Sequence, residues 1–266
     1  MTESRGTRVL LRVATGAVLA FIYLPLLVIG IYAFNASTNQ AWPLSGFSVQ
    51  WFERAFEQSG VRDALFTSIR AGLGATAIAL VLGSLAAFAV QRYRFFGRET
   101  VTFLLILPIA LPGVVTGIAL NAAFNTADVQ FGLMTIIIGH ATFCVVICYN
   151  NVLARVRRVS RHLEEASMDL GADQWQTFRH VTFPAIRTAL LAGGLLAFAL
   201  SFDEVIVTTF TTGGGERTIP IWILQNYTRT TGLPIVNAVA LILVIVSIVP
   251  VYVAQRLAGA ESVATK

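Results

Sequence analysis

Long apolar runs separated by shorter polar segments dominate this chain. Six of the runs reach the ~20 mostly apolar residues that a helix needs to cross a lipid bilayer. These runs are Val9–Phe34, Leu65–Val90, Thr100–Phe124, Phe131–Ala154, Ala185–Phe210 and Ile235–Leu257. The pattern predicts an all-α, polytopic membrane protein with six transmembrane helices, organised as a single transmembrane domain over residues 1–266.

The first run could be mistaken for a cleaved signal peptide, because Arg5, Arg8 and Arg12 lie at its start. The apolar part of a signal peptide spans only about 7–15 residues, and this run is much longer. We therefore interpret it as a retained transmembrane helix.

Two polar segments between the runs carry shorter helical patterns. Ser48–Gln58 predicts an amphipathic helix with Trp51, Phe52 and Phe56 on its apolar side. Such aromatic residues favour an anchor at the membrane interface over contact with a solute. Farther along, Ile219–Tyr227 predicts a short re-entrant helix.

Composition and charge agree with a membrane environment and add an orientation. Hydrophobic residues make up 56% of the chain, charged residues only 12%, and the mean hydropathy is +0.72, which is too apolar for a water-facing surface. If the N-terminus is inside, 14 of the 19 basic residues fall in inside segments. The other five lie outside, namely Arg54, Arg62, Arg70, Arg217 and Arg229.

Because cytoplasmic loops carry an excess of Lys and Arg, we expect both termini and the loop Arg155–Pro184 to lie in the cytoplasm. The net charge of +5 follows from this bias. The sequence contains no basic stripe with interleaved aromatic residues, so it does not indicate a nucleic-acid partner.

Few residues are available for catalysis. Lys266 is the only lysine, so the sequence has neither the lysine of a phosphate-binding loop nor a buried lysine for Schiff-base chemistry. His140, His162 and His180 are the only histidines. We therefore do not expect an enzyme, and if ATP drives this protein, another chain must hydrolyse it.

One apparent set of metal ligands lies in the fourth run. His140, Cys144 and Cys148 follow one another at intervals of four residues, which spreads them over about 12 Å along one helix face. That spread is too great for one ion with bonds of about 2.0–2.3 Å. We predict packing residues and no metal site.

The third run contains Pro108 and Pro112, one turn apart. Each proline removes a backbone donor and clashes with the preceding turn, so the helix should bend here. In a bilayer, freed carbonyl groups are tolerated where protein or a water-filled cavity satisfies them. The bend therefore makes Pro108 and Pro112 candidates for a helix that lines a translocation pathway, unless it serves only packing.

Asp203 and Glu204 lie in the outer part of the fifth run. Ionisable groups at membrane depth usually face the bundle interior or a wet cavity, and two adjacent carboxylates attract a cation. The alternatives are that they cap a broken helix or pair with an arginine such as Arg217. Since adjacent helical residues point about 100° apart, we expect at most one of them to face a solute.

The polar segment between the fourth and fifth runs has the most specific spacing. It consists of Glu165-Ala166-Ser167, three residues, Gly171, nine residues and Val181-Thr182-Phe183-Pro184. This resembles the EAA loop of binding-protein-dependent ABC importer permeases, whose pattern is E-A-A, three residues, Gly, nine residues and I-x-L-P. The register holds at every step, with Ser for the second Ala, Val for Ile and Phe for Leu.

The resemblance implies that a segment of about residues 155–185 docks on an ATPase subunit. Its coupling residues would be Glu165, Ala166, Ser167, Leu170, Gly171 and Pro184. The residues themselves predict a short helix over Leu163–Leu170, ended by Gly171 in the left-handed conformation. A second short helix over Gln174–His180 and a fresh start at Pro184 would then lead into the fifth span.

The stretch Ser201–Phe210, and essentially the whole chain from Leu11 onward, also resembles spermidine/putrescine-type permeases. The resemblance implies a MetI-like type I ABC importer permease in the bacterial cytoplasmic (inner) membrane, with polyamines as the leading solute. The implied partners are a second homologous permease, two ATPase subunits, an external solute-binding protein and membrane lipid. ATP and Mg²⁺ would bind to the ATPases, with no cofactor in this chain.

Other solutes and one other class of transporter remain alternatives. Related importers handle ferric ion, opines or amino-acid-like compounds. An ion-coupled secondary transporter would explain intramembrane acids without partner subunits, but it would not explain the EAA-like loop.

Overall fold

The computed structural model of the chain describes residues 5–39, 41–228 and 232–264. These residues form twelve α-helices and one π-helical segment, in the order α1 (Arg5–Ala33), α2 (Gln50–Glu57), α3 (Ser59–Arg92), α4 (Arg98–Ala110), α5 (Gly113–Thr126), α6 (Leu133–Val156), α7 (Arg161–Asp169), α8 (Gln174–Thr177), the π segment (Phe178–Thr182), α9 (Phe183–Phe202), α10 (Ile206–Thr211), α11 (Ile219–Asn226) and α12 (Leu233–Ala264). The predicted all-α fold is confirmed. Two basic residues used to predict the orientation, Arg229 and Lys266, lie outside the described residues.

Five helical runs among the described residues are long and apolar enough to cross a membrane. They are α1, α3, α6, α12 and the continuous run from α8 through the π segment to the end of α9. A sixth crossing results if α4 and α5, which are bent by 106° at their junction, count as one broken span. With α4 and α5 counted as one broken span, each of the six apolar runs of the sequence corresponds to one of these crossings.

The described residues pack as two compact units, one drawn from residues 1–62 and 223–245 and the other from residues 63–222 and 246–266. In the first unit, the most apolar part of α1 buries none of its residues. Trp51 of α2 donates from its indole nitrogen to the carbonyl of Asn35 over 2.6 Å, and the ring of Phe52 lies 4.9 Å from that of Phe34. Of the three aromatic residues predicted to anchor α2, Phe56 is the exposed one.

α6 forms the centre of the second unit. Its Cys144 and Cys148 are fully buried, and the thiol of Cys144 donates to the carbonyl of Ala197 in α9 over 3.3 Å. α3 approaches just as closely, because a Cβ atom on Gly83 would lie 2.8 Å from backbone atoms of α6. Small residues allow helices to pack at such distances in a membrane protein.

The structure corrects the prediction that Ala185–Phe210 forms one continuous span. α9 ends at Phe202, and the helix resumes as α10 at Ile206. The break has a local cause, because the Glu204 side chain accepts a hydrogen bond from the backbone N–H of Val207 over 2.8 Å. A carboxylate that caps a new helix competes with continuation of the old one.

A second correction concerns Pro184, where the sequence predicts a fresh start of the chain into the fifth span. Instead, the helical run continues from Gln174 to Phe202 without interruption. Pro184 lies in the first turn of α9, directly after the π segment. Local π turns accommodate the backbone groups that a proline leaves unpaired within an apolar helix, so this proline does not stop the run.

Candidate functional site

The first candidate site is the segment of residues 161–184, which we name the coupling segment. α7 begins at the N-cap Ser160, whose side chain accepts from the N–H of His162. It ends before Gly171, which has a φ of +90° and donates its N–H to Met168 over 2.9 Å. The left-handed conformation predicted for this glycine is therefore confirmed.

α8 begins with a capping box that the sequence analysis missed. The Asp173 carboxylate accepts from the N–H of Gln176 over 2.7 Å, and the Gln176 side chain accepts from the N–H of Asp173 over 3.0 Å. The signal was an Asp followed three residues later by Gln. With the left-handed Gly171, this box fixes the turn between α7 and α8.

Glu164 fastens the coupling segment to the membrane helices. Its Oε1 atom accepts from Nη2 of Arg92, at the end of α3, over 2.6 Å. The same oxygen accepts from Oγ1 of Thr182 over 2.9 Å. Within the segment, the hydroxyl groups of Ser167 and Thr177 lie 3.1 Å apart. Arg92 thus ties the segment to α3, and Thr182 ties α7 to the π segment that leads into α9.

The predicted coupling residues lie mostly on the outer side of this segment. Glu165, Ala166 and Pro184 are exposed, and Leu170 is 90% exposed. The Glu165 carboxylate contacts the ring of His162, at 3.1 Å. Ser167 is turned inward, toward Thr177. Trp175 is 65% exposed, and exposed apolar side chains grouped on a polar segment indicate a surface for a protein partner.

The second candidate site consists of two helix breaks, residues 111–112 between α4 and α5 and residues 203–205 between α9 and α10, which we together name the break region. Leu111 is extended, with φ −81° and ψ 145°, and Pro112 is the N-cap of α5. A residue before proline is pushed out of the helical conformation, which accounts for the bend of 106° at this point. The predicted bend is confirmed and lies at Pro112, while Pro108 stays inside α4.

The structure brings the two predicted pathway elements together. A Cβ atom on Gly113, next to Pro112, would lie 3.3 Å from Ile206 at the start of α10. One turn farther, a Cβ atom on Gly117 would lie 2.5 Å from the ring of Phe210. Asn121 donates to the carbonyl of Phe210 over 2.7 Å. α5 therefore packs on α10, and each begins at a helix break.

The two acids of the break region have different surroundings. Glu204 is half-buried and caps α10 through Val207. Asp203 is exposed, and no hydrogen bond or ion pair joins its carboxylate to any residue that the structure describes. Within the same part of the chain, neither acid forms an ion pair with Arg217. The helix-cap alternative therefore applies to Glu204, whereas Asp203 is available to a solute.

His140 holds the two sides of this break against α6. Its Nδ1 atom lies 2.7 Å from the hydroxyl of Ser201 in α9, and its Nε2 atom lies 2.7 Å from the hydroxyl of Thr208 in α10. Thr135 also donates to the carbonyl of Thr211 over 2.7 Å. The sequence predicted a packing role for His140, and its spacing could not show the hydroxyl partners, which lie 61 and 68 residues away.

Comparison with known proteins identifies the family. The model for the binding-protein-dependent transport system inner membrane component matches residues 79–259, which is more than half of the chain. The chain belongs to this family. It is therefore a multi-pass inner membrane component of a transport system, as the EAA-like spacing predicted.

Two relatives within this permease family match almost the whole chain. The putrescine transport system permease protein PotI of Escherichia coli (strain K12) is 33% identical over 91% of this chain and 88% of its own length. The spermidine/putrescine transport system permease protein PotC of Haemophilus influenzae is 30% identical over 90% of this chain and 92% of its own length. Both relatives are transport permeases rather than enzymes.

A solved structure supports the fold of this permease. The crystal structure of a bacterial ABC transporter involved in the import of the acidic polysaccharide alginate aligns with a TM-score of 0.74. The alignment covers 96% of this chain and 99% of that one, at 17% sequence identity. At this level of identity the likeness bears on the fold alone, which is that of an ABC importer permease.

Proposed function

We propose that this permease is a transmembrane subunit of an ATP-driven importer for polyamines such as spermidine and putrescine. The observation that carries the proposal is the 30–33% identity to polyamine permeases over about nine tenths of the chain. The break region supports the same solute class, because the exposed and unpaired carboxylate of Asp203 attracts a cation and repels an anion. Selectivity would be shared with the external solute-binding protein.

The partners follow from the family and from the coupling segment. A second homologous permease completes the pore, two ATPase subunits bind ATP and Mg²⁺ and hydrolyse the nucleotide, and a binding protein delivers the solute. Glu165, Ala166, Leu170 and Pro184 supply the outer surface for the ATPase, while Ser167 and Gly171 shape the turn beneath it. In this orientation both termini and the coupling segment lie in the cytoplasm, which agrees with the arginine bias.

The transport step would use the continuous helical run from α8 to α9. This run of 29 residues spans about 43 Å at 1.5 Å per residue, and it joins the coupling segment to the break region. Closure of the ATPases would push on α7 and α8, and the stiff run would carry that displacement to Asp203. Rigid-body rotation of the helices would then open the cavity to the opposite side of the membrane.

ATP hydrolysis by the reconstituted complex tests this proposal. The permease, its partner permease, the ATPase and the binding protein are placed in liposomes, and hydrolysis is measured with and without spermidine or putrescine. Stimulation by either polyamine, but not by a dicarboxylate of similar length, is the expected result. Hydrolysis that does not respond to polyamine would contradict the proposed solute. Failure of the ATPase to associate would contradict the proposed role of the coupling segment.

A further inference from the structure

Two cavities near the end of α3 share an arginine in their walls. The smaller has a volume of about 390 Å³ and is lined by Gln91 and four arginines, namely Arg92, Arg94, Arg98 and Arg161. The larger has a volume of about 890 Å³ and contains Arg98 again, together with Arg157 and three phenylalanines, namely Phe95, Phe96 and Phe103. Both volumes are in the range of about 300–1,000 Å³ that is usual for ligand sites.

Positive charge at this place is only partly neutralised by the protein. Arg92 is paired with Glu164 over 2.6 Å, and Arg161 donates to the carbonyl of Arg92. Among the residues described, no hydrogen bond or ion pair reaches the guanidinium group of Arg94 or Arg98, although Arg98 is half-buried. A guanidinium group removed from water without a partner is unfavourable, so the cavity favours an anion.

The walls of the larger cavity contain one acid and an apolar surface. Glu99 lines this cavity beside Arg98 and Arg157, which leaves an excess of positive charge. Phe96 is fully exposed and Phe103 is 63% exposed. Phe96 follows shortly after the end of α3, a helix that can cross the membrane, and Phe103 lies in α4, so both stand near the level where acyl chains meet the headgroup layer.

We propose that these cavities bind an anionic membrane phospholipid. Its phosphate would lie between Arg94, Arg98 and Arg161, because arginine recognises phosphate oxygens through paired N–H donors. Its acyl chains would lie along Phe96 and Phe103. Basic cavities beside transmembrane helices bind acidic headgroups in this manner.

The site also touches the coupling segment. Arg161 is the first residue of α7, and Arg92 holds α7 through Glu164. An anion bound between these arginines would fix the start of α7 to the end of α3. Lipid binding itself is independent of the solute and of the ATPase, whereas its effect on ATP-coupled transport rests on the proposed function.

Lipid retention by the assembled transporter tests the site. The complex is reconstituted in nanodiscs of phosphatidylcholine with a minor fraction of phosphatidylglycerol, and the phosphatidylglycerol that stays bound after detergent extraction is measured by native mass spectrometry. We expect R94Q/R98Q to weaken retention about thirtyfold, because each arginine near the surface strengthens the attraction of an anionic lipid about fivefold. The single variant R94Q, at an exposed side chain, should weaken retention about fivefold.

R5Q/R8Q is the matched control, since it removes the same charge from exposed arginines at the start of α1 and should leave retention unchanged. Equal retention by wild type and R94Q/R98Q would overturn the proposal. Equal loss in both double variants would also overturn it, because the lipid would then respond to surface charge in general. Displacement of phosphatidylglycerol by inorganic phosphate at matched concentration would show a site for free phosphate instead. A transporter that retains the lipid but does not respond to polyamine would contradict the proposed function alone.

Discussion

His140 is fully buried in α6, and both of its ring nitrogens lie within hydrogen-bond distance of a hydroxyl oxygen. The Thr208 hydroxyl donates to the carbonyl of Glu204 over 2.9 Å, so its oxygen must accept from His140. The network therefore assigns the ring proton to Nε2, and Nδ1 accepts from Ser201. A neutral imidazole in this tautomer satisfies both sides of the break between α9 and α10.

Replacement of His140 by leucine should destabilise the permease, because the buried Ser201 hydroxyl loses its acceptor and the buried Thr208 oxygen loses the N–H that it accepts from. We expect a loss of about 1–3 kcal/mol, seen as a lower melting temperature of the purified protein in detergent. His162→Leu makes the same substitution at a side chain that is 92% exposed and should change the melting temperature little. An unchanged melting temperature for His140→Leu would show that the network does not stabilise the fold.

Substitutions of the two acids of the break region should have different effects on polyamine uptake. Asp203→Asn removes an exposed, unpaired charge and should slow uptake of a polyamine about tenfold, the size of one favourable charge contact at partial exposure. Glu204→Gln keeps an oxygen that can accept from Val207, so it should retain most of the uptake. Initial rates of labelled putrescine uptake measure both, with complex assembly as the control. If Asp203→Asn transports like the wild type, this carboxylate does not contact the solute.

At the scale of single elements, the turn after α7 depends on the conformation of Gly171. A Cβ atom there would meet nothing within 4 Å, so the cost of a substitution comes from the positive φ rather than from crowding. Gly171→Pro also removes the N–H that bonds to Met168, and it should abolish association with the ATPase. Gly171→Asn is the control, because asparagine tolerates the left-handed conformation. Copurification of the ATPase measures the difference, and normal binding to Gly171→Pro would contradict this account of the turn.

The Arg92–Glu164 pair should hold the coupling segment in its working position. The side chains are only 13% and 19% exposed, so removal of either partner leaves a largely buried charge unpaired, at a cost of about 1–3 kcal/mol. We expect Glu164→Gln to preserve ATPase binding but to reduce the amount of solute imported per ATP hydrolysed. Glu165→Gln, at the neighbouring exposed acid, would act on binding instead. Equal transport per ATP in wild type and Glu164→Gln would show that the Arg92–Glu164 pair does not contribute to the coupling between ATP hydrolysis and transport.

The elements differ in how far the sequence could predict them. Apolar length predicted the spans, and the spacing around Gly171 predicted the turn, since both depend on local chemistry. The break after Phe202 was predicted only as an alternative role of the two acids, because it depends on a side-chain cap. The continuous passage through Pro184 was missed, because it depends on a π turn. The partners of Glu164 and His140 lie between 18 and 72 residues away, so only the folded chain could show them.

At the scale of the whole molecule, the second unit contains both candidate sites and one rigid connection between them. The run from Gln174 to Phe202 begins in the coupling segment and ends at Asp203. α6 supports this run along its length, from Cys144 at Ala197 to Arg155, which donates to the carbonyl of Ala185 over 2.7 Å. Such a support lets a displacement at one end reach the other without local unfolding.

Uptake of labelled spermidine into proteoliposomes tests the central claim most directly. The complete complex is reconstituted with ATP on the side of the coupling segment and the loaded binding protein on the other. We predict accumulation that requires ATP hydrolysis, the ATPase and the binding protein, and that persists when all ion gradients are collapsed. Uptake by the permease alone, driven by an ion gradient without any ATPase, would contradict the claim and identify a secondary transporter.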